Sequence, residues 1–225
     1  MKQRVEVLDE LAGMIGKIRL SHPVRVGIDG VDCSGKTSLA GELASLIEGL
    51  KGDVIRVSID GFHNPKEIRY RQGRKSPRGF YEDTFDLQAI LKCVLLPLGP
   101  GGDCRYNPSQ FDYRTDSPQV GSWQQAAQDS VLLFDGIFLH RPELRPHWDF
   151  TIFVHVEFDE TVRRARERDQ YLFGDPDEVE AIYRERYIPG QRIYLETEKP
   201  VDKADVVVDN NDIMHPVLKV RRTRY

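Results

Sequence analysis

Apolar side chains at Val5, Leu8, Leu11, Ala12, Ile15 and Ile18 recur at helical spacing, so residues 1–20 are expected to form an amphipathic helix. Such a stripe more often packs on its own domain than docks a partner. His22-Pro23 ends it, and the short apolar run Val24 to Ile28 predicts a strand. Ser38 to Ala44 returns to helical character. A second strand is expected over Val54 to Ile59, after the turn residues Lys51-Gly52-Asp53. Asp86 to Leu96 presents Leu87, Ile90, Leu91, Val94 and Leu95 on one helical face, and Pro97-Leu98-Gly99-Pro100-Gly101-Gly102 ends it. Val131 to Phe134 is continuously apolar, as a buried parallel strand would be. Thr151 to Val156 and Ala204 to Asn210 predict the last two strands, with His155 packing or hydrogen-bonding. Thr161 to Asp169, capped by Asp159, and Glu178 to Tyr187 predict two helices separated at Gly174-Asp175-Pro176. Together they read as a helix–hinge–helix lid over 160–190. Residues 64–83 and Tyr106 to Val120 have no such period and are expected as irregular polar stretches, with 211–225 a solvated tail.

Runs of strand and helix in alternation make this an α/β chain, and its 225 residues are expected to form one domain. The 40% hydrophobic content can fill a sizeable core, and 30% charged residues suit a soluble surface. A net charge of −4 argues against a general nucleic-acid binder. Cys33, Cys93 and Cys104 have no metal-ligand spacing, and three cysteines suggest no disulfide framework. With no apolar run near the ~20 residues of a membrane span and no signal-like N-terminus, a reduced, cytoplasmic setting is expected.

The chemistry starts at Gly30-Val31-Asp32-Cys33-Ser34-Gly35-Lys36-Thr37-Ser38. This is G-x-x-x-x-G-K-T between a predicted strand and a predicted helix, the context in which the pattern forms a phosphate-binding loop. Its glycines let successive N–H groups turn inward around phosphate oxygens, and the following helix adds its positive end. Lys36 is placed to reach the β- and γ-phosphates, and the Thr37 hydroxyl to ligate Mg²⁺. A nucleoside triphosphate is the expected ligand.

Two aspartates stand at strand tips, where parallel sheets gather ligands. Asp60, in Asp60-Gly61-Phe62-His63, fits two readings: a turn cap, or a carboxylate facing an acceptor hydroxyl. Asp135, before Gly136, is expected as the second protein anchor for Mg²⁺ rather than only a strand-ending turn. Residues 64–83 mix Lys66, Arg69, Arg71, Arg74, Lys75 and Arg78 with Tyr70, Phe80 and Tyr81. They read either as a solvated loop or as a grip on an anionic or ring-bearing substrate. Of Arg163, Arg164, Arg166 and Arg168, most are expected in surface salt bridges. One or two of Arg164, Arg166 and Arg168 would reach the transferred phosphoryl group.

In this order the residues resemble the uridine kinase family, in the wider group with phosphoribulokinase and bacterial pantothenate kinase. The likeness covers most of 24–210. It rests on the phosphate loop, Asp60-Gly61-Phe62-His63, Thr84-Phe85-Asp86 and Asp135-Gly136-Ile137. Arg168-Asp169 and Tyr183…Pro189…Ala204-Asp205-Val206-Val207-Val208 extend it. The resemblance implies a P-loop kinase fold with a five-stranded parallel sheet flanked by helices, and ATP·Mg²⁺ as donor. It implies a small hydroxyl compound as acceptor, with Asp60 facing that hydroxyl and Asp135 at a metal-side position usually held by Glu. The acceptor side would include His63, Phe111, Tyr113 and Asp116. There the family's Tyr-Asp-Phe…His becomes Phe111-Asp112-Tyr113…Asp116, and its lid Arg-Gly-Arg becomes Phe173-Gly174-Asp175. A nucleoside acceptor is therefore expected to fit less well than in typical members, and pantothenate, nicotinamide riboside, a sugar or a sugar phosphate are alternatives. A GTP switch lacks its Asn-Lys-x-Asp signature, and a nucleotide-binding partner protein without turnover is the other rival. A homo-oligomer is compatible with the sequence; nucleic-acid and membrane partners are not expected.

Overall fold

The structure, a computed structural model, describes residues 3–119 and 121–222. Val120, at the end of the predicted irregular stretch, and the tips of the predicted N-terminal helix and C-terminal tail lie outside them. The first helix, α1 (Arg4–Gly16), leads to β1 (Val24–Gly30), the phosphate loop, α2 (Lys36–Lys51) and β2 (Val54–Ser58). Two short helices, α3 (Lys66–Arg69) and α4 (Pro77–Asp83), then occupy the stretch expected as a polar loop. Pro77 at the first turn of α4 and a Ser76 side-chain cap on the Gly79 N–H explain that helix locally, a start signal hidden among charged residues. The helix expected at 86–96 begins as α5 (Leu87–Ile90), capped by Asp86, and passes into a π-helical turn, Leu91–Leu95.

Strands β3 (Val131–Asp135) and β4 (Phe150–His155) precede α6 (Phe158–Arg168), α7 (Gln170–Phe173), α8 (Pro176–Ile182), a π-helical turn (Tyr183–Tyr187) and α9 (Ile188–Glu198). Asp159 does not cap α6: Glu157 precedes the helix and Asp159 sits in its first turn, where a negative charge suits the dipole. Asp175 does cap α8. Its carboxylate accepts from the N–H groups of Asp177 (2.9 Å) and Glu178 (3.0 Å), a role an arginine there could not fill.

The sheet closes with β5 (Val206–Asp209) and β6 (Val217–Val220). Its order is β6-β5-β4-β1-β3-β2, and all pairings are parallel except β6 on β5. Six strands thus replace the expected five, and part of the expected solvated tail is the antiparallel edge. Leu218 supplies the reason by packing against the core, while exposed Lys219 keeps the edge polar.

The two faces of the sheet carry different cores. Val26, Ile28, Leu133 and Ile152 meet Leu11 and Ile15 of α1 and Leu43 and Ile47 of α2. The other face buries an aromatic cluster that includes Phe62, Phe134, Phe138 and Trp148. Gly27 lets Trp148 lie flat on β1, because a Cβ there would come 2.9 Å from the indole.

Candidate active site

The carboxyl ends of β1, β2 and β3 converge on the phosphate loop. Gly35 has φ = +93° at the N-cap of α2, a left-handed conformation that glycine adopts without strain. Braces hold the loop from three sides. Asn210, just past β5, donates Nδ2 to the Ser34 carbonyl at 2.7 Å. Gln191 of α9 accepts from the Asp32 N–H at 2.7 Å and returns Nε2 to its carboxylate at 3.1 Å. Below the loop, Asp29 accepts from the Gly30 N–H at 2.7 Å, pairs with His140 Nδ1 at 2.7 Å and accepts the Tyr194 hydroxyl. All three side chains of that network are buried. These braces escaped the sequence reading. A lone Asn, Gln or His carries no motif, and only their positions near strand ends and late helices could have drawn notice.

Lys36 folds back to donate to the Val31 carbonyl at 2.7 Å, and the buried Ser34 hydroxyl has no partner. Buried polar groups are nearly always hydrogen-bonded, so this cradle has unused donor capacity where phosphate oxygens would bind. Thr37 donates Oγ1 to Asp135 Oδ2 at 2.8 Å, and Ser58 Oγ lies 3.5 Å from the same oxygen. Burial pushes the Asp135 carboxyl above its ordinary range, against the Thr37 hydrogen bond and the Lys36 charge. A cation there would favour the carboxylate. Hydroxyl plus carboxylate is a hard-oxygen set that suits Mg²⁺, which takes few protein ligands and keeps water or phosphate for the rest. Among the described residues there is no cluster of three or more His, Cys, Asp or Glu able to hold a metal.

Beside the loop opens a cleft of about 550 Å³. Asp32, Asp60, His63, Tyr113, Arg168 and Asp169 are among the residues that line it. Asp60 stands in a single 3-10 turn after β2, Ile59–Phe62, at the position its strand-tip sequence predicts. His63 Nδ1 bonds to the Asp60 carbonyl at 3.0 Å, its ring stacks on Tyr113 at 4.7 Å, and burial pushes its pKa down.

Two predicted acceptor residues lie elsewhere. Phe111 is buried in a two-residue hairpin strand, and Asp116 turns away to pair with Arg69 at 2.7 Å and the Lys66 N–H at 3.1 Å. Asp116 is thus a strut between α3 and the hairpin turn, consistent with its left-handed φ of 54°.

The lid arginines separate as sharply. Arg164 donates to the carbonyls of Cys33 (3.3 Å), Asn210 (2.8 Å) and Asn211 (3.1 Å), behind the loop. Arg166 is taken up by Glu180 and Asp177. Neither lines the cleft. Arg168 does, held by buried Asp169 at 2.6 and 3.0 Å. Asp169 also accepts the Tyr183 hydroxyl at 2.6 Å, so the guanidinium is set by a pair that is itself fixed.

No protein-family model matches the chain. Uridine-cytidine kinase B of Dictyostelium discoideum is 26% identical over 149 residues, a match spanning 66% of this chain and 59% of that protein. Among solved structures, a possible uridine kinase from Bacillus stearothermophilus superposes with a TM-score of 0.68 at 24% identity. It covers 90% of this chain and 97% of its own. D-glycerate 3-kinase from Cryptococcus neoformans var. grubii gives 0.62 at 12% identity, covering 95% and 99%. The fold is that of P-loop kinases, and the sequence is similar to that of a uridine kinase family protein.

Proposed function

We propose that this chain transfers the γ-phosphoryl group of ATP to a hydroxyl of a small molecule. The carrying observation is the Thr37–Asp135 pair at 2.8 Å beside Lys36, with Asp60 across the adjoining cleft. Donor-side and acceptor-side groups therefore meet at one place. Lys36 and the loop's N–H groups hold the phosphates, and Thr37 and Asp135 hold Mg²⁺, which neutralises phosphate charge when bound. Asp60 accepts or orients the acceptor proton as the new O–P bond forms and ADP leaves. Arg168 stabilises the transferring group, where positioned charge supplies most of the catalysis.

The uridine-like part of the reading draws support from the sequence relative, and from Tyr113 and His63 as a ring-stacking wall. It loses the support of Phe111, which is buried, and of Asp116, which pairs with Arg69. The test is ADP release by the full chain with ATP and Mg²⁺, across nucleosides, vitamins, sugars and sugar acids. A P-loop kinase releases ADP with at least one acceptor class and little without any. A binding protein without turnover holds ATP and shows no acceptor dependence.

A further inference from the structure

The acceptor side of the cleft is lined with positive charge that nothing in the phosphotransfer scheme uses. Lys66 opens α3 with an exposed side chain, and Arg114 sits in the hairpin turn, its guanidinium 5.8 Å from the Tyr113 ring centre. Arg69, which also lines the cleft, is neutralised by Asp116. Behind this wall, Arg186 is only 3% exposed. Its guanidinium lies 4.8 Å from the ring centre of Tyr70 and 5.6 Å from those of Phe80 and Tyr187, all three of which line the cleft. The buried Arg186 Nε has no acceptor. Among the described residues, no carboxylate lies within ion-pair distance of Lys66, Arg114 or Arg186.

Of the carboxylates nearby, Asp116 serves Arg69, Asp169 holds Arg168 and Asp32 is bonded by Gln191. Asp112 accepts the backbone N–H of Arg114 at 2.9 Å, and Asp60 lines the cleft on the hydroxyl-facing side. Aromatic faces attract a buried cation but compensate it less fully than a counter-charge. Lys66 and Arg186 without an ion pair, and Arg114 with only the more distant charge of Asp112, give that wall of the cleft a positive field, which favours an anion over a neutral ligand.

We propose that the acceptor is an anionic alcohol, bearing a phosphate or carboxylate that Lys66 and Arg114 bind and the buried Arg186 charge favours, while its hydroxyl faces Asp60. This deepens the kinase reading by naming the substrate class of the same site. A neutral nucleoside would leave the three charges unanswered. The Phe111 and Asp116 placements fit the same picture, because the hairpin supplies a cation to the cleft where base-reading groups were expected.

The experiment compares matched pairs that differ only in the charged group: ribose 5-phosphate with ribose, and glycerate with glycerol. Binding to the full chain, loaded with a non-hydrolysable ATP analogue and Mg²⁺, is measured by calorimetry at low and high salt. At least one anionic member is expected to bind ten-fold or more tighter than its neutral partner, with the advantage shrinking in salt. The phosphate and carboxylate pairs tell the two sources apart. In Lys66→Gln/Arg114→Gln the preference is expected to vanish while the affinity for the ATP analogue stays. Uridine and cytidine form a third arm. Their binding more tightly than every anionic alcohol, or no pair showing a charge preference, overturns the proposal even if ADP release confirms a kinase. Charge-selective binding without acceptor-dependent ADP release upholds an anion-binding wall but overturns its role in an acceptor site, along with the kinase reading.

Discussion

At the scale of single residues, the site divides its carboxylates by environment. Asp135 is buried, bonded to Thr37 and pushed up by desolvation; Asp60 faces the cleft. In the proposed scheme the first serves the donor side and the second the acceptor. Asp60→Asn is expected to lower kcat by about 10²–10⁴-fold, the usual range for a general base, with ATP affinity nearly unchanged. Steady-state kinetics beside nucleotide titration would separate the two quantities. A large loss of ATP affinity at unchanged kcat would move Asp60 to the donor side. Arg168 and Arg166 offer a paired test, since they share a helix but only Arg168 reaches the cleft. Arg168→Gln should reduce kcat strongly and Arg166→Gln only slightly; similar effects from both would deny Arg168 its special place.

Among the elements, α6 links the helices over 160–190 to the phosphate loop. Arg164 clamps the Cys33 and Asn210 carbonyls, and Glu160 holds Arg164 from one turn earlier at 2.7 Å. Hydrogen bonds from Arg163 and then Arg164 lower the Glu160 pKa from 4.5 to about 2. The folded pKa lies below the unfolded one, so this stabilisation is full above pH 4.5 and disappears as pH falls toward about 2. Glu160→Gln should therefore be less stable than wild type at pH 7, with the gap closing near pH 2; denaturant titrations at both values would show it.

The elements also show why the sequence was readable in some places and opaque in others. The phosphate loop was legible because glycine, lysine and threonine at fixed spacing report a backbone shape and a charge together. The strand-tip positions of Asp60 and Asp135 were legible because a strand tip is a place as well as a residue. Asp116 and Arg164 were not, because their roles depend on partners 47 and 131 positions away. Helices α3 and α4 were hidden for another reason. Only α4 carries a side-chain cap, from Ser76, and the faces of both are too short to show a period.

The whole molecule joins two unlike cores across one sheet, aliphatic on the α1–α2 face and aromatic on the other. Gly27 lies on β1, the strand that ends in the phosphate loop, and Trp148 covers it. Gly27→Ala would press a methyl group against the indole at 2.9 Å. Overpacking of this kind costs about 1–3 kcal/mol, which in a chain of this size lowers Tm by several degrees. Thermal unfolding would measure it, and an unchanged Tm would mean that Trp148 moves aside freely. The sheet's antiparallel edge and the bracing of the loop by Asn210 place the last strands in the same cooperative unit as the site.

The central claim is that donor and acceptor groups work as one phosphotransfer centre. The most direct measurement follows ADP and phosphorylated acceptor together, at limiting and at saturating Mg²⁺, in wild type, Lys36→Ala and Asp135→Ala. One ADP per phosphorylated acceptor is expected in the wild type, and no turnover in Lys36→Ala. None is expected in Asp135→Ala at limiting Mg²⁺, the condition in which loss of a metal anchor matters most. Near wild-type turnover by Asp135→Ala at limiting Mg²⁺, or ADP formed without phosphorylated acceptor, would contradict the central claim.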